Sequence, residues 1–304
     1  MKGERHDVRG NGAFAIPLSL LVAVLLPGTL RGQAAPPTPL VTLLPASVRF
    51  AGLAGASSAI GGDAGSVFGN PAGLATIRNI AVEAAFARYP DATLEAMGAG
   101  ALRLFQFDLG AGYHYLQYGG AGPIRSNLRW SGAAVYRFGL IALGAQSGYV
   151  SLEDSSGAIR RAITAGGGLQ IAVFDIMALT LNVQNGGRWE VSGGPLHLPT
   201  TTHLGFMFNF VDPQSNARLL GTIESVWTAG EGNRMIGGIE GGVVLRGVGL
   251  VGRVGLGKPP VGAIQDKFAF GAGLVISRLR VDYAHQHLSA LGSGVHRLGV
   301  RFTL

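Results

Sequence analysis

Leu128-Arg129-Trp130-Ser131-Gly132-Ala133-Ala134-Val135-Tyr136-Arg137-Phe138 decides the fold. Leu128, Trp130, Gly132, Ala134, Tyr136 and Phe138 fall on one side, and Arg129, Ser131, Ala133, Val135 and Arg137 on the other. A period of two with one apolar side is the mark of a β-strand, because successive side chains of a pleated strand point to opposite faces. The alternation recurs downstream. Met177, Leu179, Leu181 and Val183 oppose Ala178, Thr180, Asn182 and Gln184; Leu298, Val300, Phe302 and Leu304 oppose Arg297, Gly299, Arg301 and Thr303.

Turn-forming strings separate such runs: Tyr89-Pro90-Asp91, Gly119-Gly120, Asp154-Ser155-Ser156-Gly157, Asn185-Gly186-Gly187, Asp212-Pro213, Gly230-Glu231-Gly232-Asn233 and Lys258-Pro259-Pro260. Dividing residues 79–304 at such breaks predicts about fourteen strands, near 79–89, 92–104, 105–119, 127–139, 140–153, 158–173, 176–186, 197–211, 217–229, 234–246, 248–257, 267–277, 279–288 and 295–304.

The non-bulky face tells a water-soluble sheet from a membrane wall. It carries glycine, alanine and charges: Glu83, Glu95, Asp108, Arg129, Arg137, Glu224, Glu240, Arg253, Arg280, Asp282 and Arg301. Small and charged residues of both signs suit a polar lumen, and the bulky face suits acyl chains. Aromatic residues toward strand ends (Tyr89, Tyr115, Trp130, Phe138, Tyr149 and Trp227) suit the interfacial girdles of such a wall. The expected fold class is therefore all-β, a transmembrane antiparallel barrel of about fourteen strands. A two-sheet soluble sandwich is the competing reading, since its short strands look similar in sequence.

Composition agrees. The chain is 47% hydrophobic and only 13% charged, where ordinary soluble domains carry roughly 25% charged residues. Glycine contributes 50 of 304 residues. Glycine weakens a strand by about 0.5–1 kcal/mol relative to alanine, so this many must serve curvature or make room for a plug. A helical span needs about 18 or more apolar residues in a row. The long apolar run, 13–26, is interrupted by Pro17, follows Lys2, Arg5 and Arg9, and precedes small residues at Gly32-Gln33-Ala34. That is the layout of a secretory signal peptide over residues 1–34. Net charge is +7, of which the leader carries +2. The basic residues are scattered, which gives no footprint for nucleic acid.

Residues 35–46 are rich in proline and read as an extended lead-in. Residues 47–78 lack alternation and read as short helical turns that plug the lumen, with the barrel over 79–304. Within the plug, Pro71 biases Asn70 toward an extended backbone, Asn70 is placed to cap a turn, and Gly73 permits a left-handed stop.

Chemistry is sparse. His285 and His287 share a strand face, but Asp282 alternates to the other, so no metal set forms. His114 and His203 are expected to face the lumen. Gly252-Arg253-Val254-Gly255-Leu256-Gly257-Lys258 imitates a phosphate loop, yet Pro259 stands where the hydroxyl residue is needed. No cofactor and no enzymatic activity is expected.

Two strings carry a resemblance. Gly52-Leu53-Ala54-Gly55-Ala56, Gly62-Asp63-Ala64 and Phe68-Gly69-Asn70-Pro71-Ala72-Gly73-Leu74-Ala75 form the first. Val281-Asp282-Tyr283-Ala284, Leu291-Gly292 and His296-Arg297-Leu298 form the second. The chain thereby resembles the PorV/PorQ family of outer-membrane proteins, and the related FadL-like long-chain fatty acid transporters share the Asp-Ala…Asn-Pro-Ala-Gly core. The resemblance implies a bacterial outer-membrane barrel inserted by the barrel assembly machinery among outer-membrane lipid. Its plug motif would be Asp63, Asn70, Pro71, Ala72 and Gly73, and its terminal motif Asp282, Tyr283, His296 and Arg297. The PorV branch implies an accessory or shuttle role in type IX-like protein export, with secretion-system components or secreted cargo as partners. The fatty-acid branch implies a channel for hydrophobic solutes. Chain length favours the export role, with interaction surfaces in loops near 119–127, 187–197 and 258–266. One departure is the last residue, Leu304, where such barrels usually end on an aromatic; Phe302 is third from last.

Overall fold

The computed structural model describes residues 36–173, 176–211, 216–257, 268–288 and 293–304. The leader expected over residues 1–34 and the whole of the 258–266 loop lie outside the described residues. No described helix is long and apolar enough to cross a membrane.

Fourteen antiparallel strands close into one barrel: β1 Ile80–Arg88, β2 Leu94–Leu104, β3 Phe107–Gln117, β4 Ile124–Phe138, β5 Ile141–Asp154, β6 Ile159–Val173, β7 Met177–Ser192, β8 Thr201–Asn209, β9 Ala217–Thr228, β10 Gly232–Leu245, β11 Val248–Gly257, β12 Phe268–Ile276, β13 Leu279–Leu288 and β14 Ser293–Thr303. Each strand pairs with its sequence neighbours, and β14 pairs back to β1 from Ala81↔Thr303 to Arg88↔His296. Closure leaves no edge, so every strand finds ladder partners on both sides.

The two barrel ends differ. At one, β2–β3, β4–β5, β10–β11 and β12–β13 are joined by two-residue turns, where Phe105, Gly139, Gly247 and Ser277 adopt positive φ. Most of the longer connections lie at the other, the loop end, although the seven-residue β8–β9 connection is at the turn end. Two sequence expectations shift. Asn185-Gly186-Gly187 is no turn: β7 runs through it to Ser192, and the extra residues form a bulge against β6, with Asn185 at φ 52°. The chain instead turns inward over 193–200. Tyr89 is no girdle residue: it is buried and its hydroxyl meets Glu95 inside the barrel.

The outer wall is apolar. Val82, Phe86, Leu143, Leu181, Ile223, Ile239, Leu250, Leu298 and Val300 are all exposed. The charged residues facing outward from the strands, Arg88, Glu153 and Arg161, sit at loop-end termini. Trp130 and Phe138 on β4 are eight residues apart, about 26 Å along a strand at ~3.3 Å per residue. That is the scale of the ~25 Å apolar band of membrane barrels. Tyr113 and Trp130 pack together beside the upper row; Phe107–Tyr136 and Phe208–Phe210 mark the turn-end row.

Residues 36–79 fill the lumen. They enter at the loop end, where Val41 and Leu44 are buried against Ala87, Leu116, Leu288 and Val295. The lead-in is therefore packed rather than extended. The segment continues through helix α1 (Val48–Ala51) and two 3-10 turns, Ala64–Phe68 and Pro71–Thr76, to the start of β1 at the turn end. The bare places on the wall are where it touches. A Cβ added at Gly144 would meet Ala72 N and Pro71, one at Gly168 would overlap Asn70, and one at Gly255 would overlap the Leu53 backbone. Inward glycine is thus the shape complement of the plug.

Candidate functional site

Few polar atoms of a plug this short can find partners within it, so the wall must supply them. The arginine on α1 is the hub. Arg49 donates from Nε and Nη2 to Glu240 (2.8 and 2.7 Å) and from Nη1 to Asp63 (2.7 Å). Asp63 also pairs with Arg301. Glu240 in turn receives Arg253 Nε at 2.6 Å and Arg280 Nη2 at 3.4 Å, and Asp282 receives Arg253 and Arg280 at 2.8 and 2.9 Å. Buried charge is tolerated only when paired and hydrogen-bonded, and this network of both signs is so paired.

Glu224 holds the middle of the plug. It accepts the Ser57 and Ser58 N–H groups at 3.0 and 2.9 Å, the Ser58 hydroxyl at 2.8 Å, and pairs with His203 Nδ1 at 2.5 Å. Asn70 donates to the Ser58 carbonyl at 2.7 Å and accepts the Ala72 N–H at 3.1 Å, which caps the Pro71–Thr76 turn. Gly73 lies inside that turn and makes no left-handed stop. Its missing side chain instead admits Ser66, whose Oγ would lie 3.0 Å from a Cβ there. Glu83 accepts the Gly65 N–H, and Gln146 donates to the Val67 carbonyl. Asp108 joins Arg103 and Arg137 at 3.0 and 2.8 Å, and Arg103 donates to the Ala75 carbonyl at 2.6 Å.

A second cluster lies toward the loop end. Glu95 pairs with Arg297 (2.7 Å), His114 Nε2 (2.6 Å) and the Tyr89 hydroxyl (2.5 Å), and Arg297 reaches the Pro45 carbonyl. Burial, aided by the Glu95 charge and opposed by Arg297, pushes the Tyr89 phenol above its ordinary value, so it remains a donor. Arg129 differs from every other inward arginine named here: it is 6% exposed, and its partners are the Ser131 hydroxyl (3.1 Å) and the Phe68 ring, 5.7 Å from its centroid.

The eleven charges singled out in the sequence thus all point inward, and most of them touch the plug or its anchors rather than open water. The terminal string divides between faces. Asp282 and Arg297 enter the interior networks, while Tyr283 and His296 meet on the outside through a 2.8 Å hydrogen bond. Arg49, Arg297's role at Pro45, and His114's pairing were not legible as a set. The available signal was Arg49 itself, a lone charge among Val48, Phe50 and Ala51. Among the described residues no group of three histidine or carboxylate side chains is arranged to hold a metal ion.

The plug does not seal everything. At the turn end a cavity of about 630 Å³ lies between Ala75, Thr76, Arg103, Arg137 and Gln170, whereas a groove of about 620 Å³ across β9–β12 is lined chiefly by outward residues, among them Leu219, Val243, Leu250 and Gly252. At the loop end the ladder between β7 and β8 stops at Gln184↔Thr201. Above it, β7 is joined to the inturned 193–200 segment by Asn185 Nδ2 donating to the Pro199 carbonyl (3.3 Å) and Thr200 Oγ1 to the Asn185 carbonyl (2.8 Å). Behind this seam, Leu196 and Leu198 pack with Val150, Leu152 and Ala162 in a wholly apolar cluster.

No family model and no curated protein matches the sequence. Solved structures do match in fold. The toluene transporter TbuX of Ralstonia pickettii aligns at a TM-score of 0.58 and 13% identity, over 86% of this chain and 98% of its own. The toluene transporter TodX of Pseudomonas putida aligns at 0.55 and 11%, over 83% and 95%. A FadL homologue from Pseudomonas aeruginosa aligns at 0.50 and 13%, over 84% and 98%. At such identities the likeness is one of fold alone, a closed fourteen-stranded antiparallel barrel.

Proposed function

We propose that the chain is a bacterial outer-membrane barrel that passes hydrophobic small molecules across the membrane. The observation that carries this reading is the seam. The barrel axis is filled by residues 36–79, which opposes free diffusion of polar solutes. The wall between upper β7 and β8 is stitched by side-chain hydrogen bonds instead of a ladder, and an apolar cluster stands behind it. A solute that enters there meets Leu196, Leu198 and Val150 first, and burying apolar area favours its entry by about 25 cal/mol per Å². The cavity beside Ala75 and Thr76 at the turn end gives it somewhere to leave. The solved neighbours named above are transporters of toluene or a FadL homologue, which favours this reading over the protein-export role; neither the geometry nor those neighbours support export.

The test uses intact cells lacking their own channel of this kind, since small hydrocarbons cross plain phospholipid bilayers unaided. Expression should raise uptake of labelled toluene or oleate. The chain has no cysteine, so Asn185→Cys with Pro199→Cys gives a single oxidisable pair across the seam. Oxidation should stop uptake and reductant should restore it. Uptake independent of the protein, or unchanged by the cross-link, overturns the reading. Loss of secreted proteins on deletion, with uptake unchanged, would establish the export role instead.

A further inference from the structure

The outward faces of β1, β14, β13 and β12 carry a cluster that solute passage does not use. In one cross-strand row near the loop end stand Arg88, His296, His285 and Phe270: Arg88 pairs with His296, His296 with His285, and His285 with Phe270. The imidazoles of His285 and His296 lie 4.8 Å apart between ring centroids, and His285 stacks 5.0 Å from Phe270. The row beneath is apolar, with Phe86 and Leu298 both more than half exposed. Tyr283 lies in that lower row and its hydroxyl reaches His296 Nδ1 at 2.8 Å. With that hydroxyl as donor, the His296 proton rests on Nε2 and becomes an outward donor. His285 Nδ1 is buried without a hydrogen-bond partner, which leaves Nε2 as the nitrogen of that ring able to meet a ligand, and Arg88 makes no ion pair among the described residues. No carboxylate faces outward from β1, β2, β12, β13 or β14. The neighbouring loop acid, Asp91, is occupied by Thr93.

A guanidinium and two imidazoles, with no anion of their own among the described residues, sit directly above an apolar wall. That arrangement has the two-part chemistry of a phosphorylated lipid, a phosphate at headgroup height and acyl chains below. We propose that Arg88, His285 and His296 form a binding site on the outer wall for the phosphate of a membrane lipid whose chains lie along Phe86, Leu298 and Val300. Arg88 supplies the charge, and the imidazoles supply N–H donors beside it. The inference rests on the membrane placement proposed above but not on what the channel passes.

The full folded chain in neutral-detergent micelles, labelled in its histidine rings, is titrated with dioleoyl phosphatidic acid. The His285 and His296 ring signals should shift saturably. Dioleoylglycerol, which lacks the phosphate, should leave them in place, and so should inorganic phosphate at the same concentration. Arg88→Gln, an outward substitution at the end of β1, should weaken apparent affinity roughly tenfold. His296→Gln provides a second variant whose loss of binding does not depend on the arginine. Equal response to inorganic phosphate, or an unchanged affinity in both variants, overturns the proposal. Self-association abolished by Arg88→Gln would show that a second copy occupies this face, which also overturns it. Co-flotation with phosphatidylcholine vesicles is measured alongside. Flotation without phosphate-dependent shifts sinks the lipid site alone, whereas failure to float sinks the membrane placement.

Discussion

The two faces of the same strands solve opposite problems with some of the same residue types. On the inside, glycine is where the plug touches: Gly144, Gly168 and Gly255 stand against Pro71, Asn70 and Leu53. On the outside, Gly100, Gly132 and Gly252 have nothing within 4 Å of the place where a Cβ would stand. Charge divides likewise. Apart from Arg129, the inward carboxylates and arginines named above pair with one another or with plug backbone, whereas the outer wall carries charge only at its loop-end rim. The inner face is therefore specified by contact, atom against atom. The outer face is specified only by being apolar, because its solvent has no fixed shape.

The sharpest way to break this contrast is to orphan a buried charge. Glu240→Ala leaves Arg49, Arg253 and Arg280 facing one another with a single carboxylate left to each, Asp63 for the first and a shared Asp282 for the other two. Removing one member of a buried ion pair costs roughly 3–5 kcal/mol. The expected outcome is a barrel that still forms but releases its plug, read as new protease cleavage within 36–79 and a lower urea midpoint. An unchanged digest would mean that the network does not hold the plug.

An outer-wall charge comes next. Leu181 is 45% exposed at mid-strand on β7. Leu181→Arg should cost about 2–4 kcal/mol in lipid vesicles. Here the plug should keep its protease resistance, because nothing at Leu181 touches it. Little loss of stability would mean that this wall does not face hydrocarbon.

The fold was legible in the sequence because the strand period and the closed-barrel strand number are both local signals. Period two survives even where glycine replaces half of a face. What was not legible is contact between distant segments. The string Asn185-Gly186-Gly187 has turn chemistry, yet β6 continues beside it and absorbs it as a bulge. Tyr89 has the position of a girdle residue, but the parity of β1 carries it inward to Glu95. The acids and arginines of the inner face could be read as inward from alternation. That Glu224 grips Ser57 and Ser58, or that Arg49 is the hub, depends on separations of more than 160 residues.

Exchanging the same residue type on one strand gives the finest test, and β11 offers both faces within four residues. Gly255→Leu should be the costly member. Its side chain has no space beside the Leu53 backbone, and overpacking a fitted interior costs typically 1–3 kcal/mol. Gly252→Ala should have the opposite sign. Gly252 faces outward with open space around it, so the added methyl removes backbone freedom from the unfolded chain without meeting a neighbour. Alanine gains roughly 0.5–1 kcal/mol over glycine at such a strand position. The gain is measured as a higher urea midpoint of the folded barrel in vesicles, with the plug's protease resistance unchanged. If Gly252→Ala instead destabilised the barrel, something other than lipid would have to press on that part of the wall, and the division between a fitted inside and an unfitted outside would not hold on β11.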